Sequence, residues 1–164
     1  MDNDIKEWHT QNTKWLLVSA LVIFLDQSVK WIVRKTLFSF APLKILPWLN
    51  FKLAFNTGMA YGFLSDNGNA GKWLLIGIAV LISGYLWIWI FQSEPYKKLL
   101  LFALSLILGG ALSNMFDRIW MGYVTDFIDF HINTWHFATF NLADSAISIG
   151  AVILIFLLVF KREI

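Results

Sequence analysis

The stretch Trp73–Phe91 reads WLLIGIAVLISGYLWIWIF and contains no charged residue. A bilayer core of about 30 Å is spanned by roughly 20 apolar residues in a helix, so this stretch predicts a transmembrane helix. The chain of 164 residues is 58% hydrophobic and 15% charged, a balance that is unusual for a soluble domain. Similar stretches bring the predicted transmembrane helices to four, at about 15–33, 73–91, 99–118 and 141–160. Four spans put both termini on one side of the membrane.

The connections between these helices differ in length and pattern. Phe51, Leu53 and Phe55 alternate with polar or small residues, which indicates a strand. We therefore predict a small amphipathic sheet at the membrane surface over about 41–70. The connection at about 119–140 mixes acids and histidines with many aromatic residues, as in an interfacial aromatic belt, and we predict an amphipathic surface loop or helix there. The whole chain, 1–164, is then an all-α, polytopic membrane protein with one domain.

The composition excludes several classes of chemistry. The chain has no cysteine, so disulfides, thiolate catalysis and cysteine-ligated metals are excluded. No small-residue cleavage site follows the first apolar stretch, so we expect that helix to remain in the mature protein. Lysine and arginine are divided six to six between the two sides, and the positive-inside rule therefore gives no orientation.

Two charges, Asp26 and Lys30, lie within the first predicted helix. A charge in the bilayer costs about 2.5–3.5 kcal/mol on insertion scales, so each one requires a partner or a function. Their spacing of four residues puts both on one helix face, where they can form an ion pair while Lys30 leans toward the interface. A structural ion pair and a role in substrate binding both remain open.

The third predicted helix ends in a polar stripe, because Gly110, Asn114 and Arg118 recur every four residues. Small residues allow helices to approach closely in lipid, so Gly109 and Gly110 predict a packing seam. Asn114 and Arg118 instead suggest the mouth of a site, because the stripe runs into a charged loop. We expect Asp117 to be a local partner of Arg118.

Two aspartates lie on the same predicted membrane face. Asn141 predicts the N-cap of the fourth helix, and Asp144 in its first turn is favoured by the helix dipole, so capping alone can explain it. Capping does not explain Asp126. Two carboxylates that share a proton can activate water and hydrolyse a peptide bond without a metal or a cofactor. From spacing alone, solvation of these acids and a competing partner, Asp129, remain open.

The other possible catalytic groupings are weaker. His131 and His136 are five residues apart and lack the HExxH spacing of a zinc protease. A serine–lysine pair would need a serine that faces Lys30, whereas Ser28 lies on the opposite side of the helix. We therefore predict neither a metal site nor a serine mechanism.

Five segments together make the chain recognisable: Asp26–Lys30, Asn56–Tyr61, Gly109–Arg118, Val124–Phe127 and Phe140–Ser145. In this order they closely resemble the bacterial lipoprotein signal peptidase family, signal peptidase II, over nearly the whole of 15–160. The resemblance implies an aspartic endopeptidase of the bacterial cytoplasmic (inner) membrane. It implies that lipid-modified prolipoproteins are the substrates, cut just before the diacylglyceryl-modified cysteine.

The resemblance also assigns roles to residues. Asp126 and Asp144 match the family's catalytic aspartates, and a further set matches positions that shape or polarise its site: Asn56, Gly58, Asn114, Arg118, Asn141, Ala143, Asp26 and Lys30. It implies cytoplasmic termini, with the acids, the sheet and the surface loop on the extracytoplasmic side. We expect contact with membrane lipids, no nucleic acid, no cofactor and a monomer. Ser28 and Met59 depart from the family pattern, and Met59 puts the fit of substrates beside Asn56 in doubt.

Two other functions are weighed beside this one. A transporter or proton relay would use Asp26, Lys30 and Asp144 along a path through the helices. Such a path predicts acids at several depths, whereas Asp126 and Asp144 cluster at one end. A non-enzymatic assembly factor predicts that replacing both of these aspartates leaves function intact.

Overall fold

The computed structural model describes residues 9–37, 42–58 and 70–160. Within those ranges the prediction of four helices long and apolar enough to cross a membrane is confirmed. They are α1 (Leu16–Thr36), α2 (Ala70–Gln92), α3 (Lys98–Met121) and α4 (Leu142–Val159). The helical segment of α1 reaches back through a 3-10 turn to His9. α1 ends at Thr36 rather than at 33, because its last turn carries Arg34 and Lys35, whose charges suit a helix C-terminus.

Four antiparallel strands form one sheet in the order β1-β2-β3-β4. They are β1 (Leu43–Leu46), β2 (Leu49–Asn56), β3 (Val124–Ile132) and β4 (Trp135–His136). The first two lie within the predicted sheet at 41–70, of which residues 59–69, including Met59, are outside the described residues. The prediction of an amphipathic loop or helix at 119–140 is wrong. That connection supplies β3 and β4, because its Val, Thr, Phe and Ile residues suit a strand and β3 pairs with β2.

The helices pack around α3, which contacts α1, α2 and α4. The predicted seam at Gly109 and Gly110 is confirmed. A Cβ atom on Gly109 would lie 2.8 Å from the carbonyl oxygen of Ser19 on α1, and one on Gly110 would lie 2.5 Å from that of Ala143 on α4. Both distances are far too short for ordinary packing, so the glycines let the helix backbones touch.

The ends of α3, β3 and α4 meet at one point. Gly122 caps α3 in the left-handed conformation with φ of 85°, a geometry that favours glycine and turns the chain into β3. After β4 the chain returns, and the carbonyl oxygen of Phe140 accepts hydrogen bonds from the backbone N–H groups of Phe127 (3.0 Å) and Ile128 (2.8 Å). The N-terminus of α4 is thereby fixed against the middle of β3.

Candidate active site

Asp126 lies on β3 and is only 2% exposed. Asn56 on β2 is opposite Val124, so it is the diagonal neighbour of Asp126 on the same sheet face. Its Nδ2 atom donates a hydrogen bond of 2.9 Å to Asp126 Oδ2. Asn141 Nδ2 donates a second one, of 2.7 Å, to Asp126 Oδ1. Both carboxylate oxygens of this acid therefore accept hydrogen bonds from amides.

Asp144 lies in the first turn of α4, where Asn141 is the N-cap as predicted. Asn141 Oδ1 accepts from the backbone N–H of Asp144 (2.9 Å), and Asp144 Oδ2 accepts from the backbone N–H of Asn141 (3.1 Å). This is a complete capping box. The other oxygen, Oδ1, accepts a hydrogen bond of 2.8 Å from Asn114 Nδ2 on α3. Asp144 thus caps its helix and still presents one oxygen to a neighbouring element.

Two amide side chains join the aspartates. Asn141 Nδ2, which contacts Asp126, also lies 3.2 Å from Asn114 Oδ1, and Asn114 in turn donates to Asp144. We call Asp126 and Asp144 the acid pair. Burial raises the pKa of Asp126 to about 6; the hydrogen bond from Asn56 opposes the rise, and the charge of Asp144 adds to it. This acid can therefore hold a proton at a higher pH than an ordinary aspartate.

Asp144 borders two cavities. One, of about 260 Å³, lies between α2, α3 and α4 and is lined by Leu75, Ile78, Ala79, Ile82, Ala111, Asn114, Arg118, Asp144 and Ile147. The other, of about 400 Å³, is lined by Phe137, Phe140, Asp144, Ser145, Ser148 and Ile149. The exposed lining of both cavities is mostly apolar, so each cavity is suited to an apolar group beside a carboxylate.

Arg118 supplies a cation to the first cavity. Its Nη1 atom donates to the carbonyl oxygen of Asn114 at 3.2 Å, whereas its Nε atom is buried and has no hydrogen-bond partner among the described residues. Gly58 lies beside it with φ of 78°, and a Cβ atom there would collide with Leu75 and lie 3.9 Å from Arg118 Nε. The missing side chain at Gly58 therefore lets Leu75 pack against the chain next to this guanidinium.

A second group of buried charges lies just inside the acid pair. Lys30 Nζ is 2.6 Å from Asp26 Oδ2 and 2.9 Å from Asp117 Oδ2, and all three side chains are at most 1% exposed. We call these three residues the buried charge cluster. The predicted ion pair of Asp26 and Lys30 is confirmed. The expectation that Lys30 leans toward the interface is wrong, because Asp117 and Asn114, the latter at 2.9 Å, hold its ammonium inside.

Asp117 is not the partner of Arg118 that the sequence suggested, because adjacent residues on a helix point in different directions. Gln27 and Ser113 also belong to this region, and sequence reasoning missed both. Gln27 Nε2 donates to Asp117 Oδ1 at 3.0 Å, and Ser113 Oγ donates to Asp26 Oδ2 at 2.7 Å. The sequence did carry a signal for both, because each is a polar residue within an apolar transmembrane stretch.

Asp129 does not compete with Asp126 as a partner for Asp144. Its oxygens contact Asn50 Nδ2 (3.2 Å) and His136 Nδ1 (2.8 Å). Burial raises its pKa, but the hydrogen bonds from His136 and Asn50 outweigh burial and hold the pKa below its usual value. His131 stacks on His136 with 5.0 Å between ring centroids. In the part of the chain that the structure describes, no group of three or more His, Asp or Glu side chains is arranged to hold a metal.

Comparisons with known proteins agree on one family. The family described as Signal peptidase (SPase) II matches residues 18–160. A lipoprotein signal peptidase of Coxiella burnetii is 49% identical over 144 residues, covering 86% of each chain, and one of Klebsiella aerogenes is 43% identical over 142 residues, covering 87% of this chain and 86% of its own. A solved bacterial membrane enzyme at 1.9 Å resolution superimposes with a TM-score of 0.81 at 31% identity, over 89% of this chain and 92% of that one.

Proposed function

Because the chain belongs to the signal peptidase II family, we propose that it is an aspartic endopeptidase of the bacterial inner membrane. It removes the signal peptide from prolipoproteins that carry a diacylglyceryl group, and it cuts just before the lipid-modified cysteine. The observation that carries this proposal is the amide network between Asp126 and Asp144. That network holds two carboxylates beside a cavity between membrane-length helices.

The chemistry needs one proton shared by the acid pair. The ionised carboxylate takes a proton from a water molecule as the water oxygen bonds to the scissile carbonyl carbon, and the protonated carboxyl group donates to the carbonyl oxygen. The resulting diol then breaks its C–N bond, the leaving amine takes a proton from one carboxyl group of the pair, and one hydroxyl group of the diol returns its proton to the other carboxylate. The raised pKa of Asp126 supports a pair that keeps one proton near neutral pH.

Neighbouring residues would orient the substrate. Arg118 lines the cavity that Asp144 borders, and its Nε atom has no hydrogen-bond partner among the described residues, so its guanidinium can donate to a substrate carbonyl. Three amide side chains hold the carboxylates in place, those of Asn56, Asn114 and Asn141. Ala143 keeps the start of α4 close to α3. The ion pair of Asp26 and Lys30 supports the site from the protein interior.

The substrate would enter from the bilayer. The cavities beside Asp144 are mostly apolar and lie between or beside membrane-length helices, so a signal-peptide helix and acyl chains can reach the acids without passing through water. In this proposal both termini are cytoplasmic, the acid pair is near the outer leaflet, and the protein acts as a monomer.

The test is cleavage of a purified precursor. Protein in detergent micelles is incubated with a diacylglyceryl-modified prolipoprotein and with the same precursor lacking the lipid, and the size shift is followed on a gel. We expect cleavage of the lipidated form only, with a new N-terminus at the modified cysteine when the product is sequenced. Equal cleavage of both forms would contradict the lipid requirement.

A further inference from the structure

Two backbone N–H groups link the buried charge cluster to the segments that carry the acid pair. The N–H of Ala143, the residue before Asp144, donates to Asp26 Oδ1 at 3.0 Å. The N–H of Thr125, the residue before Asp126, donates to Asp117 Oδ2 at 3.2 Å. Each acid of the pair therefore follows a residue whose backbone is held by one acid of the cluster.

Lys30 joins these two attachments. Its ammonium contacts both Asp26 and Asp117, at 2.6 and 2.9 Å, and also Asn114 Oδ1 at 2.9 Å. Asn114 Oδ1 accepts from Asn141 as well, so the amide must present its Nδ2 atom, a donor only, to Asp144. The Lys30 ammonium thus fixes the distance between the Asp26–Ala143 and Asp117–Thr125 hydrogen bonds. It also fixes which end of the Asn114 amide faces Asp144.

Every carboxylate oxygen of the cluster has a donor. Asp26 uses Ala143 N–H on one oxygen and Lys30 with Ser113 on the other, and Asp117 uses Gln27 on one oxygen and Lys30 with Thr125 N–H on the other; the contacts span 2.6–3.2 Å. Fully satisfied buried polar networks of this kind hold a single arrangement. The three residues are fully buried and do not line either cavity beside Asp144.

We infer that Asp117 is the positioning residue for Asp126, as Asp26 is for Asp144, with Lys30 locking the two together. This inference rests on the proposed function, because the quantity it fixes is the separation and orientation of the acid pair. Asp117 acts through the backbone of β3 and touches no reacting atom.

Asp117→Asn is the decisive variant. The amide has nearly the same shape, and Lys30 keeps Asp26 as its counter-ion, so we expect the protein to fold. The Thr125 N–H loses a charged acceptor, and the start of β3 is then free to move. Because a displacement of about 1 Å can cost about 10²-fold in rate, we expect kcat to fall roughly 10- to 100-fold, with KM unchanged.

A pH profile separates positioning from a general loss of structure. The charged groups that act on Asp126 are Asp144, Lys30 and Arg118, while Arg34 bonds the neighbouring Thr125 side chain. Removing the charge of Asp117 leaves Lys30 less neutralised, and a less neutralised cation favours ionised Asp126. The profile of kcat/KM should therefore move to lower pH in Asp117→Asn.

The matched control is Asp129→Asn, a buried acid on the same strand as Asp126 whose hydrogen bonds go to Asn50 and His136 and not to the acid pair. It should keep the kcat and the pH profile of the unmodified protein even if its melting temperature falls. Gln27→Leu removes the donor to Asp117 Oδ1 together with the contacts of Gln27 with Ser113, but it keeps the contacts of Asp117 with Lys30 and Thr125. It should lower kcat by a smaller factor than Asp117→Asn, and it provides a second test if Asp117→Asn folds poorly.

Steady-state cleavage of the lipidated precursor by these variants, with Asp126→Asn in the same series, gives the answer. A reduced kcat and a displaced pH profile in Asp117→Asn, with neither change in Asp129→Asn, support the inference. Unchanged kinetics in Asp117→Asn, or the same loss in Asp129→Asn, overturn it. An active Asp126→Asn would overturn the proposed function instead.

Discussion

The buried charge cluster and the acid pair are two sets of buried aspartates that the protein treats in opposite ways. In the cluster, Asp26 and Asp117 share the ammonium of Lys30 at 2.6 and 2.9 Å. In the acid pair, Asp126 and Asp144 are joined through neutral amides. The ammonium of Lys30 compensates the charge of the buried carboxylates in the cluster, whereas the acid pair has no cation within ion-pair distance among the described residues.

Contact with a cavity separates Asp144 of the acid pair from the cluster as well. All three members of the cluster are at most 1% exposed, so a substrate cannot reach them. Asp144 borders both cavities. The cluster is therefore suited to holding the structure, and the acid pair is suited to chemistry.

The largest effect on stability should come from Lys30→Met. Removing the cation leaves two carboxylates buried without a counter-ion, and breaking a buried ion pair from one side costs about 3–5 kcal/mol. Thermal unfolding in detergent micelles measures the loss. Lys35→Met, on the exposed face of the same helix with its ammonium 4.0 Å from the Trp31 ring, is the control and should change little. Equal melting temperatures for the two variants would contradict the contrast.

The next effect should come from Asp126→Asn, which removes a dependence of stability on pH. The pKa of Asp126 rises from 3.8 to about 6 on folding, so between these values the folded state binds more protons than the unfolded state. Stability therefore falls as pH rises from about 4 to 6 and stays lower above that range, by at most about 3 kcal/mol. Asp126→Asn should remove this dependence from melting curves.

The control for this dependence is Asp129→Asn. Folding lowers the pKa of Asp129, so its contribution is present above the unfolded value and is lost as pH falls. The decline between pH 4 and 6 should therefore persist in Asp129→Asn. Its persistence in Asp126→Asn would mean that another group causes it.

Gly110→Ala should disturb both sets together. The added methyl group would lie 2.5 Å from the Ala143 carbonyl oxygen, and overpacking of this kind costs about 1–3 kcal/mol. It also pushes the start of α4, which carries Asp144, away from α3. Gly77→Ala is the matched control because none of the described residues comes within 4 Å of its added methyl, so helix propensity should make it neutral or stabilising. Both melting temperature and precursor cleavage should distinguish the two.

The smallest effect on stability should come from Asn141. Asn141→Ala loses the cap of α4 and costs about 1 kcal/mol, whereas Asn141→Ser keeps a capping oxygen and should cost less. Both lose the Nδ2 donor to Asp126, so both should lower kcat. A serine variant with unchanged kcat would show that the amide link between the acids is dispensable.

The sequence predicted the helices well because length and hydropathy decide a membrane span almost alone. It missed β3, although Val124, Thr125, Phe127 and Ile128 favour a strand. The acids Asp126 and Asp129 are three residues apart and interrupt the alternation that would mark a strand. The segment forms a strand because it pairs with β2, and this pairing cannot be read from the segment's own sequence.

The sequence predicted only those parts of the site that depend on residues close together along the chain. The pair Asp26 and Lys30 and the cap at Asn141 are local patterns, and both were found. The contacts of Asp117 with Lys30 and of Asn114 with Asp144 join separate elements of the fold. Such contacts depend on how the helices pack, which a single sequence does not encode in its spacing.

Single-turnover cleavage of the diacylglyceryl-modified precursor by Asp126→Asn and Asp144→Asn tests the central claim most directly. Each variant should be folded in the membrane and at least about 10²-fold slower than the unmodified protein, since a positioned acid or base contributes about 10²–10⁴-fold. Asp129→Asn should cleave at the normal rate. Rapid cleavage by either variant of the acid pair would contradict the assignment of the chemistry to Asp126 and Asp144.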